Sequence, residues 1–350
     1  MNCLPFVLSR CARALLPVCA GVLALAPAAQ AADVVVASHG GVWERATQEC
    51  FVKPYQEKTG KSAQVVLGTP AQWVNQIVAN PAKPPIDLLL ASPDGVIDAM
   101  NRGIVDALDP ERLPVMKEMN PQLKSLERGY AAVVGFSSMG LAYNTETVKS
   151  PPKTWAEFVE RTANGEWNAA IPSMRQASTP SVVLWMMAHT FGGGADNIEP
   201  AFETIAKMRS GGSMRVWNDM NEFLTLLKMQ EIDIGMYWEG RAWAFHDEGN
   251  PEIAFVKPEP GVAIHTTLVQ KVKNGSEAAW EFLNDYMLSA EGQSCFGNMV
   301  QYGVGNANVE YKPEIAGRIT RMDEIVTPPY DEIAPHVREW VERWNKEVDR

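Results

Sequence analysis

Cysteine is scarce in this chain, five in 350 residues, and Cys3, Cys11 and Cys19 crowd the amino terminus while Cys50 and Cys295 stand far apart. No pair has the close spacing of a thiolate metal site. The five histidines, His39, His189, His246, His265 and His336, are scattered, and no two sit four apart as on a zinc-binding helix. A Gly-x-Ser-x-Gly elbow and a Gly-x-x-x-x-Gly-Lys phosphate loop are both missing, which leaves catalytic residues, a metal and a cofactor without a motif. Basic residues are outnumbered, 31 against 42 acidic, for a net charge of −11. Such a balance excludes the basic surface that nucleic acid requires. Low-complexity segments, solenoid repeats and long charged runs are also absent.

What is present begins with a leader. Arg10 and Arg13 precede a mostly apolar stretch, Ala14 to Ala29, that closes on Ala29-Gln30-Ala31. This is the pattern of a secretory signal, residues 1–31, and predicts a soluble mature chain starting near Ala32. Pro17 and Pro27 interrupt the stretch, which is short for a membrane helix. Cys19 follows Leu16-Pro17-Val18 rather than the small residue a lipid-modified cysteine wants. Cys50 and Cys295 then remain in an oxidising compartment, either as two buried thiols, the expected state, or as one bridge. The remaining length, roughly 320 residues, exceeds one ordinary core and predicts two lobes.

Three times a short apolar run ends in a small polar or aromatic loop and opens into a helix. The runs are Val34 to Ala37 into Ser38-His39-Gly40-Gly41-Val42-Trp43, Asp87 to Ala91 into Ser92-Pro93-Asp94-Gly95, and Ile232 to Met236 into Tyr237-Trp238-Glu239-Gly240-Arg241. This order predicts an α/β fold, and in open α/β sheets ligands sit outside the carboxyl ends of the strands. Between these runs, helices are expected over Trp43 to Thr59 despite Pro54, from Thr69-Pro70 with Trp73, Ile77 and Val78 on one face, and over Leu113 to Leu123. The apolar helix Ser181 to Phe191, with His189 as a core histidine, starts behind Ser178-Thr179-Pro180 and stops at Gly192. Tyr130 to Tyr143 and Gly261 to Val269 are candidate crossings between lobes. Ile333, Val337, Trp340, Val341 and Trp344 mark an amphipathic tail helix.

The order of Ser38-His39-Gly40-Gly41, Tyr55-Gln56-Glu57-Lys58-Thr59-Gly60, Asp87 to Ser92, Gly103-Ile104-Val105, Gly140 to Asn144, Pro151 to Trp155, Ala278 to Asn284 and Tyr302 to Asn306 resembles the extracellular solute-binding proteins of ABC importers. The spermidine/putrescine-type branch is the most similar. The resemblance spans the whole mature chain. It implies a hinged, two-lobed periplasmic binding protein fold, each lobe a mixed, mostly parallel sheet flanked by helices. The first lobe is expected over 32–136 plus 263–309 and the second over 140–261 plus 310–350, with the hinge near 137–143 and 261–267. By the same resemblance the protein is a monomeric periplasmic receptor that closes on a small molecule and delivers it to a permease of the inner membrane.

The resemblance matches Trp238, Tyr302 and Ser92 to cleft positions of the polyamine branch. It departs at Thr266, where that branch carries an aspartate, and at Met174-Arg175-Gln176-Ala177-Ser178-Thr179, where it carries acids. A cation in place of acids argues against a polycation, because each ammonium group needs its own carboxylate. Asp94 and Glu239 are expected to hold one amine, and Arg175 with Ser178 and Thr179 an acid group. The expected contacts are therefore Ser38, His39, Gly40, Trp43, Ser92, Asp94, Arg175, Ser178, Thr179, Trp238, Glu239, Arg241, Thr266 and Tyr302. Bland roles compete: Ser38 to Gly41 as a plain turn, Thr179 and Asp94 as caps, Trp43 as core, and Arg241 paired with Glu239 or Asp247. A zwitterionic or acidic amine is favoured; the alternatives are a true polyamine receptor, a ferric-ion receptor, disfavoured by the lack of adjacent tyrosines, and a secreted hydrolase.

Overall fold

In the computed structural model, which describes residues 32–174 and 180–349, the apolar runs become the strands of one ten-stranded sheet. In chain order they are β1 Val34–Ser38, β2 Ala63–Leu67, β3 Leu88–Ala91, β4 Ala132–Asn144, β5 Ala169–Pro172, β6 Met214–Trp217, β7 Ile234–Trp238, β8 Ile253–Val256, β9 Val262–Lys271 and β10 Ile325–Val326. The path is β2-β1-β3-β9-β4-β7-β5-β6, with β8 against β4 and β10 against β9. Two parallel triplets, β2-β1-β3 and β7-β5-β6, flank the antiparallel pair β9 and β4. At about 3.3 Å per residue, the thirteen residues of β4 reach about 40 Å. That is enough to pair with β9 from Ala132 to Met139 and with β7 from Met139 to Tyr143.

The near-continuous burial of β4 and β9 follows from their central position, covered on both faces. Gly140 is required there: a Cβ would lie 2.5 Å from Phe255 Cζ and 2.7 Å from the Val256 carbonyl oxygen. On one side Val34, Phe51, Tyr55, Trp73, Leu88, Val269, Phe282 and Phe296 share a core, so an amino-terminal segment and a late one fold together. On the other, Trp155, Phe158, Ile171, Met186 and Met236 pack with the tail residues Trp340 and Trp344. Trp217, Phe223 and Tyr237 form a third cluster, the last two stacked 4.3 Å apart.

Several helices depart from expectation for local reasons. The expected helix through Pro54 is continuous but contains a π turn, Gln48–Val52, between Val42–Thr47 and Lys53–Thr59. The wider turn accommodates the N–H that proline lacks. Leu113 to Leu123 is not an α-helix but two 3₁₀ turns, Pro114–Glu118 and Pro121–Leu123, each restarted by its proline. Val78 is 46% exposed, since it lies one position beyond the Trp73 and Ile77 stripe. His189 is exposed and stacks on Trp185 at 4.9 Å instead of joining the core. Cys50 and Cys295 form a disulfide with Cα atoms 5.6 Å apart, so the bridge, not the pair of thiols, is correct. No helix among the described residues is long and apolar enough to cross a membrane.

Candidate functional site

The carboxyl ends of β1, β3 and β7 meet the middle of β4 and β9, and aromatic and imidazole rings collect there. His39, directly after β1, has its ring 5.5 Å from Trp43 and 5.5 Å from Trp73. Trp43 is set by Gly41, whose φ of 73° turns the chain into the helix Val42–Thr47, a left-handed angle that glycine adopts freely. The indole of Trp43 stands edge-on to Phe296 at 4.9 Å and to Tyr302 at 5.7 Å. From the opposite triplet, Trp238 ends β7, and its ring lies 5.6 Å from that of His265 on β9. Trp238 is buried, and its Nε1 has no hydrogen-bond partner among the described residues. A buried donor left unpaired is costly, so the indole N–H is one group here that an acceptor would satisfy.

The electrostatics tie these residues together. Burial lowers the pKa of both imidazoles, that of His265 to about 4 with the charge of His39 acting in the same direction. Both rings are therefore neutral at neutral pH, each offering one donor and one acceptor. Thr266 is fully buried, and beside it the Tyr330 hydroxyl, brought in by the tail, donates to the Ile264 carbonyl at 3.2 Å. Asp94, in the first turn of the helix Pro93–Asn101, is raised by desolvation and by Asp331, with Arg128 opposing. It also acts electrostatically on Tyr330.

Other expected contacts are engaged elsewhere. The Ser38 hydroxyl is buried, 3.0 Å from Thr47 Oγ1, and donates to the His39 carbonyl, so it serves the start of the first helix. Ser92 Oγ accepts from Gly95 N at 3.3 Å as a helix cap. Gly40 is exposed with open space in front of it. Glu239, expected to hold an amine, is fully buried, and its carboxylate accepts from Thr320 Oγ1 at 2.8 Å and Thr320 N at 3.3 Å. Arg241 pairs with neither Glu239 nor Asp247; the latter accepts from Arg318 at 2.8 Å and Gln301 at 2.6 Å. Instead Arg241 is exposed beside Tyr237 and Tyr302, where its charge acts against the effect of burial on both phenols. Tyr302 packs onto Gly240, where a Cβ would overlap its ring. Arg175, Ser178 and Thr179 lie outside the described residues.

The family model of bacterial extracellular solute-binding proteins matches residues 83–324, well over half of the chain. The chain belongs to this family. Among relatives, the solute-binding protein is 25% identical over 258 residues to spermidine/putrescine-binding periplasmic protein 1 of Haemophilus influenzae, covering 70% of this chain and 67% of that one. A putative extracellular solute-binding protein from Bordetella parapertussis superposes with a TM-score of 0.83 at 24% identity, over 90% of this chain and 98% of that one. A GABA receptor superposes with a TM-score of 0.71 at 19% identity, over 89% and 96%. The fold is thus the two-lobed periplasmic binding protein fold.

Sequence reading of the solute-binding protein missed His265, Trp73 and Tyr330. His265 is adjacent to the chosen Thr266, and strand alternation turns the two side chains to opposite faces. The strand also carries Thr266, Thr267, Gln270 and Lys271, so a histidine there gives no distinct sequence signal, and its neighbour Trp238 lies across β4. Tyr330 reaches β9 from 66 positions away, a contact no local pattern encodes.

Proposed function

We propose that this protein is a periplasmic receptor of an ABC importer that captures a zwitterionic or acidic small amine and passes it on without chemical change. The observation that carries the reading is the convergence of His39 and Trp43 after β1, Trp238 at the end of β7 and His265 on β9. These residues come from both parallel triplets and from a strand that joins them. A solute held there contacts both halves at once, and contacts of that kind favour a shut form over an open one. The segments 32–136 plus 263–309 and 140–261 plus 310–350 form the two lobes, hinged near 137–143 and 261–267. Residues 1–31 are removed on export near Ala31, and the mature chain acts as a monomer with no nucleic-acid partner and no cofactor.

The ligand class rests on charge. A diamine asks for two carboxylates, and of the two expected acids Asp94 alone is accessible, Glu239 being spent on Thr320. Arg241 is an exposed cation near Tyr302, and Arg175 is a further one in the sequence. Among the relatives, one is named for an amine with a carboxylate, GABA, and one for spermidine and putrescine. The name of the latter is what favours the second reading, a polyamine receptor.

The test is titration of purified protein with 4-aminobutyrate and with putrescine, followed by tryptophan fluorescence. The acid-bearing compound is expected to bind more tightly. Trp238→Ala is expected to weaken binding by about 1–3 kcal/mol, roughly fivefold to a hundredfold or more in Kd. Arg175→Ala should weaken 4-aminobutyrate selectively. Tighter binding of putrescine selects the polyamine reading, and consumption of either compound points to an enzyme.

A further inference from the structure

Glu239 follows Trp238 directly and opens the helix Glu239–Asp247, yet its side chain turns away from the ring cluster into a buried polar knot. Thr320 Oγ1 lies 2.8 Å from Glu239 Oε1 and 2.7 Å from Ser138 Oγ. Lys257 Nζ stands 3.8 Å from Glu239 Oε1 and 2.9 Å from Glu324 Oε2. Alongside, Gly240 N donates to Ser137 Oγ at 3.2 Å, and the Tyr302 ring rests on Gly240. The knot therefore joins β4, the β7-to-helix junction, the segment after β8 and the tail.

The hydroxyl of Thr320 has one hydrogen and two close oxygen neighbours. An ionised carboxylate accepts only, so Thr320 Oγ1 donates to Glu239 Oε1 and its one hydrogen is withheld from Ser138 Oγ, the other acceptor it faces at 2.7 Å. When Glu239 is protonated, its own O–H donates to Thr320, and Thr320 donates to Ser138. Protonation thus redirects the Thr320 hydrogen from Glu239 to Ser138 on β4, and it leaves Lys257 with Glu324 and the Ile319 carbonyl. We infer that Glu239 is a positioning residue for the solute cleft: it touches no solute, but in its charged form holds Trp238 and Tyr302 in place through Thr320 and Ser138, and neutralising it loosens the cleft.

Other groups acting on this knot are consistent with the inference. Burial dominates at Glu239 and raises its pKa to about 7, with Glu324 in the same direction and Lys257 and Thr320 opposing. The charge of Glu239 also reaches Tyr302 and Tyr311. Physiological pH therefore falls on the titration itself. The inference rests on the receptor reading only for its effect on affinity; its effect on Trp238 is measurable without any solute.

The experiment follows the Trp238 indole N–H resonance by NMR from about pH 5.5 to 8.5 in the unliganded protein, wild type and Glu239→Gln. The wild-type resonance is expected to shift with a midpoint near neutrality, and Glu239→Gln to abolish the shift. Burial lowers His265 to about 4, outside the range followed, and the Glu239→Gln comparison isolates the part of the shift that Glu239 causes. Affinity for 4-aminobutyrate or putrescine, whichever binds, is expected to fall about threefold to tenfold from pH 8 to pH 6 in the wild type and to stay level in the variant. Thr320→Val, which cuts the link to Ser138 and leaves the carboxylate, is expected to raise the midpoint and shrink the Trp238 shift; this holds even if Glu239→Gln fails to fold. A titration that is absent in the wild type, or unchanged in both variants, overturns the inference. Silence toward every solute alongside a normal Glu239-dependent shift overturns the receptor reading instead.

Discussion

At the scale of single residues, burial of ionisable groups is the recurring theme. Glu127 is 4% exposed, accepts from Val133 N at 3.3 Å, and has its pKa raised by desolvation from 4.5 to about 7. A carboxyl raised in the folded state makes its contribution below its unfolded pKa and loses it as pH climbs through the folded one. Glu127→Gln, which keeps an acceptor for Val133, is therefore expected to match the wild type near pH 4 and to exceed its stability by about 1–3 kcal/mol at pH 8, as read from urea unfolding. His265 has the opposite sign. Lowered from 6.5 to about 4, it costs the fold stability as pH falls across that interval, and His265→Gln is expected to soften the acid-side loss in thermal melting.

At the scale of elements, β4 decides most. Its two glycines suggest an interrupted crossing in the sequence, whereas the strand runs unbroken through thirteen residues, with a register shift only between Val133 and Gly135. Gly140 answers to its neighbours Phe255 and Val256 on β8, not to a break in the chain. Gly140→Ala is expected to cost about 1–3 kcal/mol by pressing on Phe255 and the Val256 carbonyl, measurable as a lowered denaturant midpoint. The strand-to-helix junctions were legible because apolar runs and caps are local: Thr69 does form its capping box with Gln72, and Gly60 ends its helix at a φ of 70°. The two 3₁₀ turns that replace an expected helix show prolines overruling an apolar spacing.

At the scale of the whole molecule, the core that holds β1 to β3 is built from segments far apart in the chain, and the Cys50–Cys295 disulfide spans 245 positions to link them. Closing so large a loop restricts the unfolded chain most. Cys50→Ser with Cys295→Ser is expected to lose about 2–5 kcal/mol in guanidinium unfolding followed by circular dichroism. Solute affinity should be retained, because the bridge sits next to Met299 and neither cysteine is among the residues proposed to contact the solute. The tail is shared in the same way: Trp340 and Trp344 pack with Met186 and Met236, while Arg128 pairs with Asp331 at 2.7 Å and Tyr330 reaches β9.

By itself the sequence determined the α/β class and the strand-to-helix junctions on which His39, Trp43 and Trp238 stand, because periodicity, caps and strand-to-helix loops are properties of neighbouring residues. Tertiary structure alone decided that Cys50 meets Cys295, that His265 faces Trp238, and that Glu239 serves Thr320. Each of these depends on where β4, β9 and the tail bring distant positions within a few ångströms, and burial, not residue type, then sets what a carboxylate or an imidazole can do.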